Sequence, residues 1–230
     1  MAALKFEDQD LPDLSDYAAA AEQFIPGRRA IFAIVEASFV ELLPAGPAKI
    51  LVVGAGGGEE ILRLGEKNPS WSFVGVDTFE PMVDLARRRL ATTDVAARSA
   101  IHLMDVSALH ESGFSAATCI LTAHFVPDDG AKLALFKAIR ERLEPGAPLA
   151  IFDGVGVNGE ARTELLRRIW QRHAVCNGAD EDVAQSNAEN FKRVAVVSIE
   201  RELALLREAG FGEIVPVFRG LAIEGWLAFA

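Results

Sequence analysis

Short apolar segments alternate with amphipathic segments along most of the chain after residue 46. Runs rich in Val, Ile, Leu and Phe predict buried strands, and apolar residues at helical spacing predict helices between them. The predicted strands are 49–53, 72–76, 100–103, 117–123 and 148–153, and the predicted helices are at about 58–67, 80–92 and 130–143. This alternation is typical of a doubly wound α/β fold, in which helices cover both faces of a Rossmann-like parallel sheet.

Further patterns lie on both sides of this alternating region. Residues 15–43 predict two helices separated by a break at Ile25-Pro26-Gly27. Residues 155–207 predict a helical insertion that is too long for a simple crossover and is expected to cover the edge of the site. The chain ends in two apolar segments, 213–218 and 221–229, which predict an antiparallel terminal hairpin.

The length of the chain bounds its domain organisation. Its 230 residues, half of them apolar, are enough for one sizeable domain with additions. We therefore predict an N-terminal helical cap over 1–45 and one ligand-binding domain over 46–230, with residues 155–207 folded over its site.

The net charge disfavours nucleic acid as a partner. Acidic residues outnumber basic residues 33 to 23, for a formal charge of −10. Proteins that bind nucleic acids use basic surfaces to neutralise phosphates. The arginines at 87–89 and 167–168 fall on predicted helices, and we expect them on solvated helix faces.

The N-terminal sequence and the cysteines predict a cytoplasmic protein. The first 17 residues are acidic and polar, unlike a secretory leader. No apolar run approaches the roughly 20 residues of a membrane span, so no membrane partner is expected. Neither Cys119 and Cys176 nor any set of histidines and carboxylates has metal-ligand spacing, so no metal is expected.

Four glycines follow the first predicted strand, in the segment ILVVGAGGGEE at 50–60. Glycines permit positive φ angles and the close approach of a ligand, and the helix that follows offers free N–H groups. In a doubly wound sheet, ligands bind at the carboxyl ends of the strands. Asp77 ends the second strand 23 residues after Gly54, where an acid commonly binds ribose hydroxyls. Gly54, Gly56 and Asp77 therefore predict a site for a cofactor that contains a nucleoside.

The residue at position 59, a glutamate, helps to distinguish between two candidate cofactors. A dinucleotide fingerprint that begins with Gly54 and Gly56 needs a third glycine at position 59. A carboxylate there would repel a pyrophosphate, whereas S-adenosylmethionine carries a sulfonium and an ammonium and has no phosphate. Asp105, after the third strand, is placed to accept a hydrogen bond from an adenine amino group. These residues favour S-adenosylmethionine as cofactor and S-adenosylhomocysteine as product, although a dinucleotide-dependent dehydrogenase remains a distant alternative.

Taken in order, these motifs resemble the class I S-adenosylmethionine-dependent methyltransferases over about residues 46–230. A Pro-Gly turn in LEPGAP at 143–148 and the segment LLREAGF at 205–211 contribute to the resemblance. The resemblance implies further cofactor contacts from Ala55, Thr78, Val106 and Thr122.

The sequence departs from that family at one position. The family usually has an acidic residue two positions before the first glycine, where this chain has Val52. We therefore expect the ammonium group of the cofactor to bind a different partner.

Two further segments, FIPGRRAIFAIVEASFV and NAENFKRVAVVSIERELALLREAGF, resemble the carboxy-S-adenosylmethionine synthases that serve tRNA wobble-uridine modification. Those enzymes place a ligand-contacting tyrosine after Ile-Pro-Gly, where this chain has Arg28, so Arg28 is expected near the cofactor. Their late-helix arginine, which holds the added carboxylate, falls at about Ser186-Asn187, and the nearest basic residues are Lys192-Arg193. We therefore expect a methyltransferase, with a carboxylating synthase as the alternative. The resemblance also implies a homodimer.

Methyl transfer depends mainly on holding the acceptor in line with the methyl group, and a base helps when the acceptor must lose a proton. His124, after the fourth strand, is the predicted base, and Asp153 is predicted to orient or deprotonate the acceptor. Structural roles remain open for both residues, and Trp170 and His173 are further candidates for lining the pocket.

The expected partner is a small-molecule acceptor with an O, N or C nucleophile, and a biosynthetic pathway is the expected setting. A non-catalytic S-adenosylmethionine-binding module is the other alternative.

Overall fold

Seven strands form one sheet in the computed structural model, which describes residues 17–230. The strand order is β3-β2-β1-β4-β5-β7-β6. The strands are β1 (Ala48–Val53), β2 (Trp71–Asp77), β3 (Ser99–Leu103), β4 (Ala116–Ile120), β5 (Pro148–Gly154), β6 (Ile214–Gly220) and β7 (Ile223–Phe229). Strands β1 to β5 are parallel, whereas β7 is antiparallel to both β5 and β6. The predicted doubly wound fold with an antiparallel terminal hairpin is confirmed.

Eight helices surround this sheet within the described residues. They are α1 (Tyr17–Phe24), α2 (Arg28–Leu42), α3 (Glu59–Lys67), α4 (Glu80–Leu90), α5 (Ala131–Arg142), α6 (Ala161–Cys176), α7 (Glu181–Phe191) and α8 (Ile199–Glu208). Helices α1 and α2 correspond to the expected N-terminal helices, and α6 and α7 lie in the expected insertion. Residues 1–16 of the predicted cap lie outside the described residues. None of the described helices is both long enough and apolar enough to cross a membrane.

The alternation of side chains along β1 builds two hydrophobic layers, because successive residues of a strand point to opposite faces. Leu51 and Val53 pack on the face covered by α5 and α8. Ile50 and Val52 pack on the face covered by α2 and α3. All four side chains are at most 3% exposed, so β1 is buried on both faces, as expected for the centre of a parallel sheet.

The order of the strands determines where a ligand can bind. The chain moves outward from β1 to β2 and β3, and then returns to the other side of β1 at β4. The crevice at this reversal lies at the carboxyl ends of β1 and β4. Both the glycine loop after β1 and the segment after β4 are therefore placed at one site.

The fourth strand is shorter than the sequence predicts. It ends at Ile120 and not at residue 123, because Leu121 has a positive φ of 52° that no extended strand can contain. The backbone N–H of Leu121 donates to the carbonyl of Phe152 on β5, and a 3₁₀ turn at Ala123–Phe125 follows. This sharp turn lifts His124 out of the sheet and toward the crevice.

Candidate active site

The glycine loop is closed against the end of β4. Gly54 has a φ of 71° and Gly56 a φ of 48°, both in the left-handed region that favours glycine. A Cβ atom on Gly54 would lie 2.0 Å from Oγ1 of Thr122, a distance at which no side chain fits. The backbone N–H groups of Gly54 and Ala55 both donate to the carbonyl of Val76, which ties the loop to the end of β2.

Asp77 holds the glycine loop and the start of α4 together. Its Oδ2 accepts a hydrogen bond from the backbone N–H of Gly56 at 2.8 Å, and its Oδ1 accepts one from Phe79 at 2.9 Å. A carboxylate oxygen has two lone pairs, so both oxygens can still accept from ribose hydroxyls. Thr78, the next residue, is exposed at the same edge.

Asp105 lies beside Asp77, because the backbone N–H of Met104 donates to the carbonyl of Asp77 at 2.9 Å. The Asp105 side chain accepts a hydrogen bond from Ser107 and begins the 3₁₀ turn Val106–Ala108. Val106 is only 2% exposed and packs into the core. Asp105 therefore has a local capping role, and its carboxylate lies at the same edge of the sheet as Asp77.

Arg28 reaches the site from α2 and pairs with the acid that separates the two candidate cofactors. Its Nη1 donates to Oε1 of Glu59 at 2.9 Å and to Oε1 of Glu22 at 3.1 Å, and a second ion pair joins Arg28 Nη2 to Glu59. Arg63 also donates to Glu59, at 2.8 Å. Burial raises the pKa of Glu59, but the bonds from Arg28 and Arg63 outweigh it and hold that pKa below its usual value. The Arg28 guanidinium, 7% exposed, is thus already paired with two carboxylates.

A buried carboxyl lies near the position at which the sequence lacks the expected acid. Val52 on β1 is in register with Thr118 on β4. Glu60, in the first turn of α3, is only 7% exposed and interacts with Thr118. Burial raises the pKa of Glu60 to about 7, against the opposing effect of the Thr118 hydroxyl. This carboxyl, directly after the glycine loop, is a group that the sequence alone did not single out.

His124 and Asp153 form a hydrogen-bonded pair at the crevice. The Nδ1 atom of His124 lies 2.6 Å from Oδ1 of Asp153, which is fully buried on β5. The carbonyl of His124 accepts a hydrogen bond from Ala195 at 2.7 Å, so the loop after α7 also holds this turn. A carboxylate on Nδ1 fixes the imidazole orientation and leaves Nε2 as the nitrogen that can accept a proton.

Two buried ionisable side chains behind this pair were not recognised from the sequence. Lys132 and Glu202 are both fully buried. The Lys132 ammonium donates to the carbonyl of Ala123 at 2.8 Å and lies 4.0 Å from Oδ2 of Asp153 and 3.8 Å from Oε2 of Glu202. Burial and the nearby Asp153 raise the pKa of Glu202 to about 8, so Glu202 is protonated at neutral pH. Helical spacing could have revealed Lys132, because it shares a face of α5 with the buried Phe136 and Ile139.

A pocket of about 220 Å³ lies next to His124. Its aromatic walls are Phe125, Trp170 and Phe191, and its polar walls are His124, Thr163 and Arg167. The rings of Trp170 and Phe191 are 5.6 Å apart, and Phe24 packs on the other side of Trp170 at 5.5 Å. Helices α1, α6 and α7 therefore close the pocket from the side opposite the sheet.

Arg167 corrects one expectation from the sequence. We expected the arginines at 167–168 on a solvated helix face, but Arg167 is only 6% exposed, whereas Arg168 is exposed. Arg167 lies four residues after Thr163 and three before Trp170, so all three share the face of α6 that lines the pocket. His173, the other candidate on this helix, is not among the residues that line the pocket and contacts Asn177.

The described residues contain no group of three or more histidines, cysteines or carboxylates that could hold a metal ion. Cys119 is buried in the sheet, where burial and the nearby Asp153 raise the pKa of its thiol well above the usual range. Such a thiol is protonated and inert, so it adds no nucleophile to the site.

Comparison with known proteins gives one family match, which covers the first part of the sheet. Residues 51–149, somewhat less than half of the chain, match a family model described as a methyltransferase domain. That segment contains the glycine loop, Asp77, Asp105 and His124. No protein of curated function matches the sequence.

Solved structures share the fold at low sequence identity. The plantazolicin methyltransferase BpumL in complex with S-adenosylhomocysteine is 11% identical, with a TM-score of 0.67 over 96% of this chain and 91% of that chain. A putative O-methyltransferase from Nostoc punctiforme is 14% identical, with a TM-score of 0.65 over 89% of this chain and 56% of that chain. An O-methyltransferase family 2 protein from Planctomyces limnophilus in complex with apigenin is 16% identical, with a TM-score of 0.56 over 86% of this chain and 61% of that chain. The chain thus spans little more than half the length of the two O-methyltransferase structures.

The matched segment is thus a methyltransferase domain, and the whole chain shares the fold of solved methyltransferases. The BpumL structure holds S-adenosylhomocysteine, which is the product form of the cofactor expected from the sequence, S-adenosylmethionine. The geometry fits this cofactor. The bare backbone at Gly54 admits a ligand, and Asp77 has free acceptor capacity for ribose hydroxyls. Arg28 and Arg63 offset the charge of Glu59, so Glu59 alone does not distinguish the two candidate cofactors.

The titration of Glu202 predicts a pH-dependent gain in stability for the variant Glu202→Gln. The folded pKa of about 8 lies above the ordinary 4.5, so the folded protein keeps a proton that the unfolded chain releases, and stability falls as pH rises between these values. Glutamine mimics the protonated acid at every pH. We expect a gain on the order of 1–3 kcal/mol at pH 8 and little gain near pH 5.

Thermal melts of wild type and variant at pH 5, 6, 7 and 8 measure this effect, since each kcal/mol corresponds to about 2–4 °C in a chain of this size. Glu208→Gln, an exposed position on the same helix, is the matched control and should change nothing at any pH. An equal gain from Glu202→Gln at pH 5 and pH 8 would contradict the assignment.

Proposed function

We propose that the protein transfers a methyl group from S-adenosylmethionine to a small-molecule acceptor, with His124 as general base. The observation that carries this proposal is the His124–Asp153 hydrogen bond of 2.6 Å at the wall of a pocket, in a segment whose Thr122 lies against the glycine loop. S-adenosylmethionine, when bound, supplies an activated methyl group and leaves as S-adenosylhomocysteine.

The segment after β4 supports a shared reaction centre, because it faces both ligand regions. Thr122 contacts Gly54 of the glycine loop, and its neighbours Leu121 and His124 line the pocket. Residues only one or two positions apart therefore lie against the cofactor loop on one side and the acceptor pocket on the other. This proximity is the condition for in-line transfer.

The proposed base acts through Nε2. His124 removes the proton from the acceptor nucleophile as the nucleophile bonds to the methyl carbon, and Asp153 stabilises the imidazolium through Nδ1. Lys132 lies behind Asp153 and holds the carbonyl of Ala123, so the turn that carries His124 is fixed before the acceptor binds. The pocket of about 220 Å³ fits a small molecule better than a polymer.

We propose the cofactor contacts residue by residue. Asp77 binds the ribose hydroxyls, Asp105 lies near the adenine, and Gly54, Ala55 and Gly56 admit the methionine portion. Thr78 and Thr122 complete the surrounding surface, and Val106, whose side chain is buried in the core, would contribute only backbone groups. We further propose that Glu60 substitutes for the acid that is absent at Val52 and interacts with the ammonium group.

The alternative of a carboxylating synthase has less support. An added carboxylate needs a charge-assisted partner, and Arg28 already pairs with Glu22 and Glu59. Arg28 is therefore better placed as a structural brace for α3 than as a carboxylate ligand. Arg193, the other basic residue considered from the sequence, is exposed.

Replacement of Asp77 tests the cofactor assignment. Asp77→Ala removes the proposed ribose acceptor and the contact to Gly56, so the affinity for S-adenosylhomocysteine should fall at least tenfold, about 1.4 kcal/mol, in calorimetric titration. Asp84→Ala, at an exposed position on α4, is the control and should bind as wild type. Unchanged affinity in a folded Asp77→Ala protein would contradict the ribose assignment.

Replacement of His124 separates a base from a structural residue. His124→Gln and Asp153→Asn should each lower turnover by about 10²- to 10⁴-fold, the usual contribution of general base catalysis. The affinity for S-adenosylhomocysteine should stay close to that of wild type. His110→Gln, at an exposed position, should leave turnover unchanged. If the His124 variant loses cofactor affinity and retains turnover at saturation, His124 is a cofactor contact and not a base.

We also propose a homodimer that forms through the helices that close the pocket. Leu165 and Ile169 are 48% and 42% exposed one turn apart on α6, and Val183 on α7 is 49% exposed. Light scattering after size exclusion should give twice the monomer mass for wild type and the monomer mass for Leu165→Glu with Ile169→Glu. Arg168→Glu is the control on the same helix. A wild-type monomer at all accessible concentrations would contradict the dimer.

A further inference from the structure

Arg167 is a buried cation on the wall of the pocket next to His124. The residue is 6% exposed and belongs to the face of α6 that also carries Thr163 and Trp170. All three residues line the same pocket as His124. The pocket therefore has two distinct polar groups in its wall, the guanidinium of Arg167 and the imidazole of His124.

The protein satisfies only part of the hydrogen-bonding capacity of Arg167. Within residues 17–230, its sole ion-pair partner is Glu164, three residues earlier on α6, and no neutral acceptor bonds to it. The Glu164 side chain is 34% exposed, so this pairing lies toward solvent. Glu189 on α7 is exposed and pairs with Lys192, which lowers the pKa of Glu189. The charge of Arg167 acts in the same direction more weakly.

A guanidinium has five N–H donors, and one carboxylate can use only some of them. Burial of the remaining donors against an apolar pocket is costly unless an acceptor meets them. A carboxylate is the group that matches a guanidinium best, because two parallel N–H···O bonds can form at once. The unused side of Arg167 therefore favours an anionic acceptor group.

The other walls define the rest of the ligand. Phe125, Trp170 and Phe191 offer aromatic surfaces, with Trp170 and Phe191 inclined at 33° to each other. An aromatic ring packs favourably against such surfaces. The pocket of about 220 Å³ is larger than a cavity of roughly 150 Å³ that holds benzene, so it can accept one ring with small substituents.

We propose, as an extension of the function proposed above, that the acceptor is a small aromatic acid. Its carboxylate binds Arg167, its ring packs against the three aromatic side chains, and its hydroxyl or amino group meets His124. The carboxylate takes no part in bond changes. The proton passes from the nucleophile to His124, and the methyl group forms a new bond to the nucleophile as its bond to sulfur breaks.

Binding without turnover tests this inference. The full-length protein saturated with S-adenosylhomocysteine is titrated with 3- and 4-hydroxybenzoate, and with the matching hydroxybenzamides as uncharged analogues of the same shape. Because charge-assisted hydrogen bonds are lost with the amide, we expect the acids to bind at least about tenfold tighter in wild type. Equal affinity, or no saturable binding of either acid, would overturn the inference.

Variants assign the preference to Arg167. Arg167→Met should reduce the acid-to-amide ratio to about one, whereas Arg168→Met, at the exposed neighbouring position, should keep it. Glu164→Gln removes the competing carboxylate and should keep or increase the ratio. Arg167→Lys retains the charge but lacks the planar guanidinium, so its acid-to-amide ratio should be intermediate. This variant tests the role of Arg167 if Arg167→Met does not fold. A preference that survives in folded Arg167→Met would overturn the assignment.

Three further outcomes distinguish this inference from the proposed function and from the carboxylating synthase. Arg167-dependent binding of the acids without methylation would support the pocket assignment and contradict the transfer reaction. Methylation of neutral phenols with no dependence on Arg167 would support the transfer reaction and overturn the aromatic acid. Arg167-dependent binding of carboxy-S-adenosylmethionine in place of the hydroxybenzoates would likewise overturn it.

Discussion

The close approach of Gly54 to Thr122 is the constraint on which the site depends. Only a residue without a side chain permits the loop after β1 to lie against the end of β4, since a Cβ on Gly54 would be 2.0 Å from the Thr122 hydroxyl. The positive φ of Leu121 then turns the chain, so that His124 faces the pocket. One contact between two strand ends thereby joins the cofactor loop to the acceptor pocket.

The strands, helices and loops that depend on the pattern of neighbouring residues were predictable from the sequence. The parallel strands, the terminal hairpin and the position of the glycine loop all follow from apolar periodicity and from glycine placement, which are properties of neighbouring residues. The end of β4 was not predictable, because Leu121 is an ordinary strand former and its turn is imposed by a hydrogen bond to Phe152 on β5. The pairing of His124 with Asp153 likewise requires the register of β4 against β5.

Buried ionisable side chains account for most of what the sequence did not reveal. Arg167, Lys132 and Glu202 are indistinguishable in composition from the exposed charges on the same helices, and only packing removes them from water. Each buried charge is costly unless a partner compensates it. Arg28 with Glu59 and Lys132 with Asp153 are compensated within the described chain, whereas the described residues leave donors of Arg167 unused at the pocket that we propose as the acceptor site. This difference distinguishes a structural charge from one that is placed for binding.

The most direct test of the account is native mass spectrometry of the freshly purified protein, with denaturing identification of the ligand that it releases. We expect S-adenosylmethionine or S-adenosylhomocysteine, either retained from the cell or bound in equal stoichiometry after addition. Release of a nicotinamide dinucleotide, or no complex with S-adenosylhomocysteine after addition at saturating concentration, would contradict the assignment of the glycine loop and of Asp77.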